Sequence, residues 1–325
     1  MAQGIPAHHW LQAVTAGTEQ KILFVFLDGV GLAPAGPGNP FSTVPMPRLQ
    51  HLLGGPLVFE RVAEQGDNPF NGRLVLRALD ACLGVPGLPQ SATGQTALFT
   101  GVNAPALVGE HITAFPTNAL KEVLAEYSLL KQAADAGSMV IFANAHSERF
   151  WERIREGRLR LGASTLTALA ANAPIPTLSD LVEGQAVLWD ITHEIAINHM
   201  DYDLPPVAAG EAGARLAGLT TCYDLVLYES FLPDLAGHRR IEPEWVLTRL
   251  DEFLDGILAH REPDTTLVVC SDHGNMEDTT TKAHTTNPVP LLAVGPGAEA
   301  FRTATEITEV TPIILSLLGE RNGQE

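Results

Sequence analysis

Acidic and imidazole side chains follow several apolar segments of this sequence, and its clearest chemistry lies there. Asp272 and His273 follow the apolar run TLVVCS and precede a Gly-Asn pair. A strand that brings a carboxylate and an imidazole together into a turn is costly within a core but well suited to binding a metal ion; the alternative is an ordinary surface turn. Asp28 ends the apolar run ILFVFL, where it could also begin a turn or cap a helix.

Further metal-ligand types occur elsewhere in the chain. Asp234 and His238 form Asp-x-x-x-His, a spacing that places both side chains on one face of a helical turn but that also arises often by chance. A lone loop histidine such as that of AHTTNPVP is usually just solvated. Mixed oxygen and nitrogen ligands suit Zn²⁺ or Mn²⁺, and a set this large exceeds what one catalytic ion needs. The sequence therefore predicts a two-metal site of the kind used in phosphoryl displacement, formed by Asp28, Asp234, Asp272, His238, His273 and His284.

Ser91 is the candidate nucleophile. It begins a predicted helix in the segment QSATGQ. An ordinary N-cap serine would have the same position. In the functional interpretation, a metal ion ionises the hydroxyl, and the phosphorylated side chain then lies at the positive end of the helix.

The elements that must position these residues alternate between strand and helix. Residues 1–20 are expected to be an irregular lead-in, residues 33–47 a loop rich in proline and glycine, and residues 117–135 a helix. The alternation predicts βαβ units and a mainly parallel sheet, whose sites form at the carboxyl ends of the strands. The predicted strands are KILFVFLDG, SMVIFANAH, CYDLVLYES, TTLVVCSDHG and PVPLLAVG.

Composition restricts the class of protein. The 325 residues are 45% hydrophobic and 18% charged, which predicts one large α/β domain or a core with a smaller insert. The formal net charge of −18 disfavours binding to nucleic acid and anionic membranes. The apolar runs are too short to cross a bilayer, and no signal peptide is recognisable. Cys82, Cys222 and Cys270 form no metal-type pair, and an odd number of cysteines suits a reducing compartment better than a disulfide framework. We therefore expect a cytoplasmic protein.

Five motifs together resemble the metalloenzyme core of the alkaline phosphatase superfamily, and most of all the cofactor-independent phosphoglycerate mutases and phosphopentomutases. They are LDGVG, QSATGQ, PDLAGH, SDHGNMED and AHTTNPVP. The resemblance implies a three-layer α/β fold with a mainly parallel sheet and a small cap insert. Residues 1–105 and 215–325 would form the core, and residues 106–214 would belong partly to the core and partly to the reduced cap.

The resemblance also implies how the site residues divide between two divalent ions, Mn²⁺ or Zn²⁺, with Mg²⁺ as a further candidate. One ion would be held by Asp234, His238 and His284. The other would be held by Asp28, Asp272, His273 and the oxygen of Ser91, which aligns with the nucleophile that becomes phosphorylated. This sequence has Gln95 where the family motif has histidine, a departure that bears on the reaction more than on the metal site.

Candidate substrate-binding residues lie outside these motifs. Five of the 20 basic residues are clustered as Arg149, Arg153, Arg155, Arg158 and Arg160. They could form a solvated helix face that pairs with Glu148, Glu152 and Glu156, or they could bind a substrate phosphate from the cap. Further candidates for substrate contact are Asn39, His111 and Lys282.

Three functions are compatible with these features. A phosphomonoesterase acting on a small phosphorylated metabolite is favoured because only 132 residues separate Gly101 from Asp234, which leaves room for a small cap alone. A mutase is favoured by the motif similarity, but it must retain its dephosphorylated intermediate in a closed cavity. The third is a degenerate metal-binding module without turnover, against which the complete set of ligand residues argues.

Overall fold

The computed structural model describes residues 20–64 and 73–319, so the predicted lead-in lies, apart from Gln20, outside the described residues. Within them, six strands form one sheet in the order β2-β6-β5-β1-β4-β3. Only β6 runs against the others, pairing antiparallel with β2 and β5, so the predicted mainly parallel sheet is confirmed. The strands are β1 (Lys21–Leu27), β2 (Leu74–Leu79), β3 (Val140–Phe142), β4 (Leu225–Ser230), β5 (Thr265–Cys270) and β6 (Val289–Val294).

Helices connect the strands and cover the sheet. The predicted helix over residues 117–135 is divided in two at Ser128, where the backbone is extended with φ −65° and ψ 144°. In the described part of the chain the helices are α1 (Pro40–Thr43), α2 (Pro47–Leu53), α3 (Phe59–Glu64), α4 (Ser91–Thr100), α5 (Ala104–Val108), α6 (Asn118–Tyr127), α7 (Leu129–Asp135), α8 (Glu148–Arg155), α9 (Ala163–Ala170), α10 (Leu178–Val182), α11 (Glu194–Met200), α12 (Ala209–Gly218), α13 (Leu232–Gly237), α14 (Pro243–His260) and α15 (Val310–Gly319).

The central strand β1 is apolar throughout because it contributes to cores on both faces of the sheet. Phe24 and Phe26 face a core that includes α4, α6, α7, α9 and α15. Leu23 and Val25 face a second core that includes α2, α12 and α14. Successive side chains of a strand point to opposite faces, so a strand covered on both sides must be apolar at every position. The three-layer α/β architecture is thereby confirmed.

The middle of the chain contributes both to the sheet layers and to a separate, smaller apolar cluster. Strand β3 pairs with β4, and α6, α7 and α9 pack on the main core. A separate apolar cluster includes Leu181 of α10 and Ala196 of α11, while α8 has no buried residue. The boundaries at residues 105 and 215 stay a prediction. No helix within residues 20–64 and 73–319 is long and apolar enough to cross a membrane.

Candidate metal centre

The seven residues predicted for the metal centre converge at the carboxyl ends of β1, β4 and β5. Asp28 directly follows β1, and Asp272 and His273 follow β5. Helix α13 begins after β4 and contains Asp234 in its first turn. Each of these positions follows from the parallel direction of the strands, which brings their carboxyl ends to one edge of the sheet. His238, Ser91 and His284 lie at the same edge, in contact with Asp234 or His273.

His238 and His284 are oriented by backbone carbonyl groups. His238 Nδ1 lies 2.9 Å from the carbonyl oxygen of Lys282, and His284 Nδ1 lies 2.9 Å from that of Pro89. Because a carbonyl oxygen can only accept a hydrogen bond, Nδ1 is the protonated nitrogen in each neutral ring. The lone pair of Nε2 in both rings is therefore available for a ligand.

Both of these Nε2 atoms face a carboxylate oxygen. Asp234 Oδ1 lies 3.4 Å from His238 Nε2 and 3.6 Å from His284 Nε2. Donor atoms that share a tetrahedral ion are about 3.4 Å apart when each is about 2.1 Å from the ion. Lone pairs facing one another at this spacing repel unless a cation lies between them, so the arrangement fits a divalent metal ion.

Electrostatics keep His284 in the form that can bind a metal. Burial, followed by the charge of His273, lowers the pKa of His284 to about 4, so the ring is neutral at pH 7. Asn275 Nδ2 donates a hydrogen bond of 2.8 Å to Asp234 Oδ1, which fixes the orientation of that carboxylate. Asn275 was not among the residues predicted for the site.

The second cluster consists of Asp28, Asp272 and His273, all of them buried. His273 Nε2 lies 3.2 Å from Asp28 Oδ1 and 3.5 Å from Asp272 Oδ2. Apart from these contacts with His273, neither carboxylate oxygen of Asp272 has a hydrogen-bond partner, and the same is true of Asp28 Oδ1. One imidazole is little compensation for two buried carboxylates, and a divalent cation would satisfy them.

The pKa values in this cluster reflect the crowded negative charge. Burial, and next the charge of Asp28, raises the pKa of Asp272 well above its ordinary value. Burial alone would lower the pKa of His273, but the neighbouring carboxylates, with Asp272 foremost, outweigh it and raise that pKa to about 10. A cation bound here would take the place of the proton on His273.

Ser91 lies beside the second cluster, with Oγ 3.1 Å from His273 Nε2. It is the first residue of α4, and Gln90 occupies the N-cap position, so the simpler interpretation of an N-cap serine is wrong. The other hydroxyls near the start of α4 bond to the chain: Thr93 Oγ1 donates to the carbonyl of Gln90, and Thr96 Oγ1 donates to that of Ala92. Ser91 therefore presents the available hydroxyl of this turn.

Gln95 and Glu277 support the site but were not predicted to do so. Gln95 Nε2 donates a 3.2 Å hydrogen bond to Asp28 Oδ2, so the residue that departs from the family motif orients a carboxylate. Glu277 accepts hydrogen bonds from the backbone N–H groups of Gly31 and Asn275 and from Thr285 Oγ1. These bonds join three of the five motifs, which explains why the motifs contain residues that bear no ligand atom.

Glu229, at the end of β4, is a buried acid that lines the cavity beside the clusters. It accepts a hydrogen bond from Ser164 Oγ. Burial raises the pKa of Glu229 to about 8 in spite of that hydrogen bond. The side chain is therefore mainly protonated at pH 7 and adds no full charge to the clusters.

The arginine cluster is divided between the site and the outer surface. A cavity of about 820 Å³ borders Ser91 and Asp28 and is lined in part by Arg149, Arg153 and Arg160. Arg155 instead pairs with Glu148 at 2.6 Å, is 61% exposed and does not line the cavity. In an α-helix, positions four apart share a face and positions two apart do not. The sequence spacing alone therefore places Arg149 and Arg153 on one face of the helix and Arg155 on another.

The remaining candidates for substrate contact do not line this cavity. Asn39 is buried and caps α1 by accepting a hydrogen bond from the backbone of Phe41. His111 Nε2 bonds to the carbonyl oxygen of Val85. Lys282 contributes its carbonyl oxygen to His238. The structure thus gives Asn39 and the backbone of Lys282 supporting roles and leaves His111 outside the cavity lining.

A family model matches the C-terminal part of the sequence. Residues 192–321 match the model of the Metalloenzyme superfamily. A 2,3-bisphosphoglycerate-independent phosphoglycerate mutase of Paracoccus denitrificans is 34% identical over 130 residues, which is 36% of this chain and 26% of that protein. One from Clostridium botulinum is 31% identical over 106 residues, 30% of this chain and 21% of that protein. The matches span about a quarter of these relatives' length.

Solved structures share the fold over most of the chain. The PH0037 protein from Pyrococcus horikoshii covers 92% of this chain and 97% of its own with a TM-score of 0.55 and 13% identity. The alkaline phosphatase from the Antarctic bacterium TAB5 covers the same shares, 92% and 97%, with a TM-score of 0.51 and 14% identity. The protein therefore has an alkaline-phosphatase-like fold and carries, in residues 192–321, a segment that matches the Metalloenzyme superfamily.

Proposed function

We propose that the protein is a two-metal enzyme that transfers the phosphoryl group of a small phosphate monoester first to Ser91 and then to water. The observation that carries this proposal is the pairing of buried carboxylate oxygens without hydrogen-bond partners, on Asp28 and Asp272, with a serine hydroxyl 3.1 Å from His273 Nε2. Two divalent ions, Mn²⁺ or Zn²⁺ with Mg²⁺ as a further candidate, would lower the pKa of that hydroxyl and neutralise charge on the phosphoryl oxygens. The partner of such an enzyme would be a small phosphorylated substrate.

The chain's own residues perform the remaining tasks. Ser91 Oγ attacks phosphorus, the bond from phosphorus to the ester oxygen breaks, and the alcohol leaves with a proton. The resulting phosphoserine lies at the N-terminus of α4, where the helix dipole stabilises negative charge. Water then attacks the same phosphorus, releases inorganic phosphate and restores the Ser91 hydroxyl. Arg149 and Arg153, which line the cavity, supply positive charge for the dianionic ester.

A mutase remains the second candidate, because phosphoglycerate mutases are among the relatives at 34% identity. The segment that matches the Metalloenzyme superfamily contains Asp234, Asp272 and His284. In that reaction a second hydroxyl of the retained substrate, rather than water, accepts the phosphate from Ser91. Metal-reconstituted protein should be assayed with glycerate and sugar phosphates for both free phosphate and isomerised ester. Phosphate release without isomerisation supports the phosphatase, and isomerisation without phosphate release supports the mutase. No turnover of any ester, including p-nitrophenyl phosphate, supports the non-catalytic module.

Metal analysis of the purified protein is expected to give about two divalent ions per chain. The donors form two groups that share His273, one with Asp234 and His284 and the other with Asp28 and Asp272. His284→Ala should lose mainly the ion near Asp234, and Asp28→Ala mainly the ion near Asp272, so each variant should retain about one ion. Elemental mass spectrometry after dialysis measures these ratios. Full reconstitution to no more than one ion in the wild type would contradict the two-metal assignment.

Arg153→Ala is expected to lower kcat/KM by roughly ten- to a hundredfold, since a charge-assisted contact is worth about 1.5–3 kcal/mol. Arg155→Ala is the matched control, because it removes the same charge from the same helix but lies outside the cavity lining and pairs with Glu148. Its kcat/KM should stay within about twofold of the wild type, and both variants should bind metal normally. Equal effects of the two substitutions would assign the loss to general charge rather than to a substrate contact.

A further inference from the structure

The cavity beside Ser91 is large for the substrate of a small-metabolite phosphatase. Its volume is about 820 Å³, and Ser91 and Asp28 belong to its lining. Pockets of roughly 300–1,000 Å³ enclose drug-sized ligands, so a three-carbon phosphate ester would leave most of this space unfilled. If the phosphate of the substrate reaches Ser91 Oγ, the remainder has room for a bulky alcohol portion.

Aromatic rings form a wall of this cavity next to the metal ligands. Trp189 and Phe231 both line it, with ring centroids 5.6 Å apart at an interplanar angle of 44°. Phe231 is the N-cap residue of α13, three positions before Asp234, and it is 36% exposed. A large aromatic ring left uncovered inside a cavity is a characteristic surface for a ligand. The two rings thus form an apolar platform, here called the Trp189–Phe231 wall.

Other rings of the cavity lining already have partners. The guanidinium of Arg160 lies 4.4 Å above the ring of Phe115. Phe150 packs against His146, with centroids 4.3 Å apart, and against Trp151. Phe115 and Phe150 are also less exposed than Phe231. The Trp189–Phe231 wall is therefore the better surface for an additional flat group, and its connection to α13 places that group close to Asp234.

We propose that the substrate is a phosphate monoester whose alcohol carries a flat aromatic group, of the size of a nucleoside 5′-monophosphate, and that this group lies against the Trp189–Phe231 wall. The inference rests on the proposed phosphoryl transfer to Ser91 and specifies its substrate class. An aromatic group stacked on the exposed ring of Phe231 also contacts the edge of Trp189, whose ring is inclined by 44°, while the phosphate stays at the metal centre. A short aliphatic phosphate ester reaches Ser91 but leaves the wall uncovered.

Adenosine 5′-monophosphate and ribose 5-phosphate form the matched pair of substrates that tests this. Both carry the phosphate on the same primary sugar hydroxyl, and they differ by the aromatic base. Stacking of a base on an aromatic side chain corresponds to roughly a 5- to 100-fold effect. The wild-type kcat/KM for phosphate release from the adenosine ester should exceed that from ribose 5-phosphate by this factor.

Substitutions then test where the preference arises. The ratio of the two kcat/KM values should fall towards one in Trp189→Leu and Phe231→Leu. It should keep its wild-type value in Phe59→Leu, which changes a 44% exposed ring on α3 that does not line the cavity. A preserved preference in both wall variants would overturn the assignment to the wall.

The wild-type assay distinguishes failure of the substrate class from failure of the proposed phosphoryl transfer. Phosphate release from ribose 5-phosphate as fast as from the adenosine ester, or release from p-nitrophenyl phosphate alone, would overturn the substrate class and leave the proposed phosphoryl transfer intact. No phosphate release from any ester by metal-loaded protein, and no phosphate on Ser91, would instead overturn the proposed function and with it this inference.

Discussion

Ser91→Ala is expected to lower kcat by at least about a thousandfold, because loss of a catalytic nucleophile removes a covalent step that no neighbouring group replaces. The hydroxyls of Thr93 and Thr96 are bonded to backbone carbonyls of α4 and its N-cap, so neither is free to attack in place of Ser91. Steady-state phosphate release by metal-loaded protein measures the loss.

Two variants make this result specific to the Ser91 hydroxyl. Ser91→Thr keeps the hydroxyl and should retain part of the activity if the added methyl group fits beside His273. Thr93→Val removes a hydroxyl of similar position without removing the nucleophile, and its kcat should stay within a few-fold of the wild type. The ion near Asp234 should remain bound in Ser91→Ala. Near-normal turnover by Ser91→Ala would show that the nucleophile is another residue.

The metal-free protein is expected to lose stability as the pH rises, and metal-loaded protein is not. The pKa of His273 is raised to about 10 by neighbouring carboxylates that outweigh its burial, so a proton is bound in the folded state and released on unfolding above pH 6.5. Stability from a raised pKa is present at low pH and is lost as the pH rises through the folded pKa. One such proton corresponds to about 2–3 kcal/mol between pH 7 and 9.

Asp272 also lowers the stability of the metal-free protein as the pH rises, because its pKa is raised, by burial and then by the charge of Asp28. Urea unfolding at pH 7 and 9, in EDTA and in saturating Zn²⁺ or Mn²⁺, measures the difference. In the metal-loaded protein His273 is unprotonated at both pH values, so this contribution disappears. Asp272→Asn should weaken metal binding and yet raise the stability of the metal-free protein at pH 9. Parallel pH dependence with and without metal would contradict the assignment of these residues as ligands.

The positions of the central strands and their terminal residues could be predicted from the sequence because both signals are local. A short run such as ILFVFL, rich in Phe and Ile and ended by Asp-Gly, favours a strand covered on both faces. In a parallel sheet, Asp28 directly after it then lies at the carboxyl edge. The same argument locates Asp272 and His273 after β5. Strand β2 was not predicted, because this edge strand is only partly buried and Arg77 interrupts its apolar run.

The residues that support the ligands were not predictable from local pattern. Gln95 lies on α4 and bonds to Asp28 after β1, and Glu277 joins loops that are distant in sequence. Such contacts become evident only when the strands have been arranged. The number of arginines in the cluster does not predict which of them line the cavity. Their positions around the helix decide this, because Arg153 lines the cavity and Arg155 faces solvent.

The most direct test of the account is the site of phosphate attachment during turnover. Metal-loaded protein mixed with a phosphate ester and quenched in acid within the first turnover should carry one phosphate, and peptide fragmentation should place it on Ser91. Residue-level assignment is essential because Thr93 and Thr96 lie on the same peptide. Phosphate on Ser91 that forms and decays at the rate of turnover is the predicted result. Phosphate on Thr93, or steady turnover with Ser91 unmodified at every quench time, would contradict the proposed mechanism.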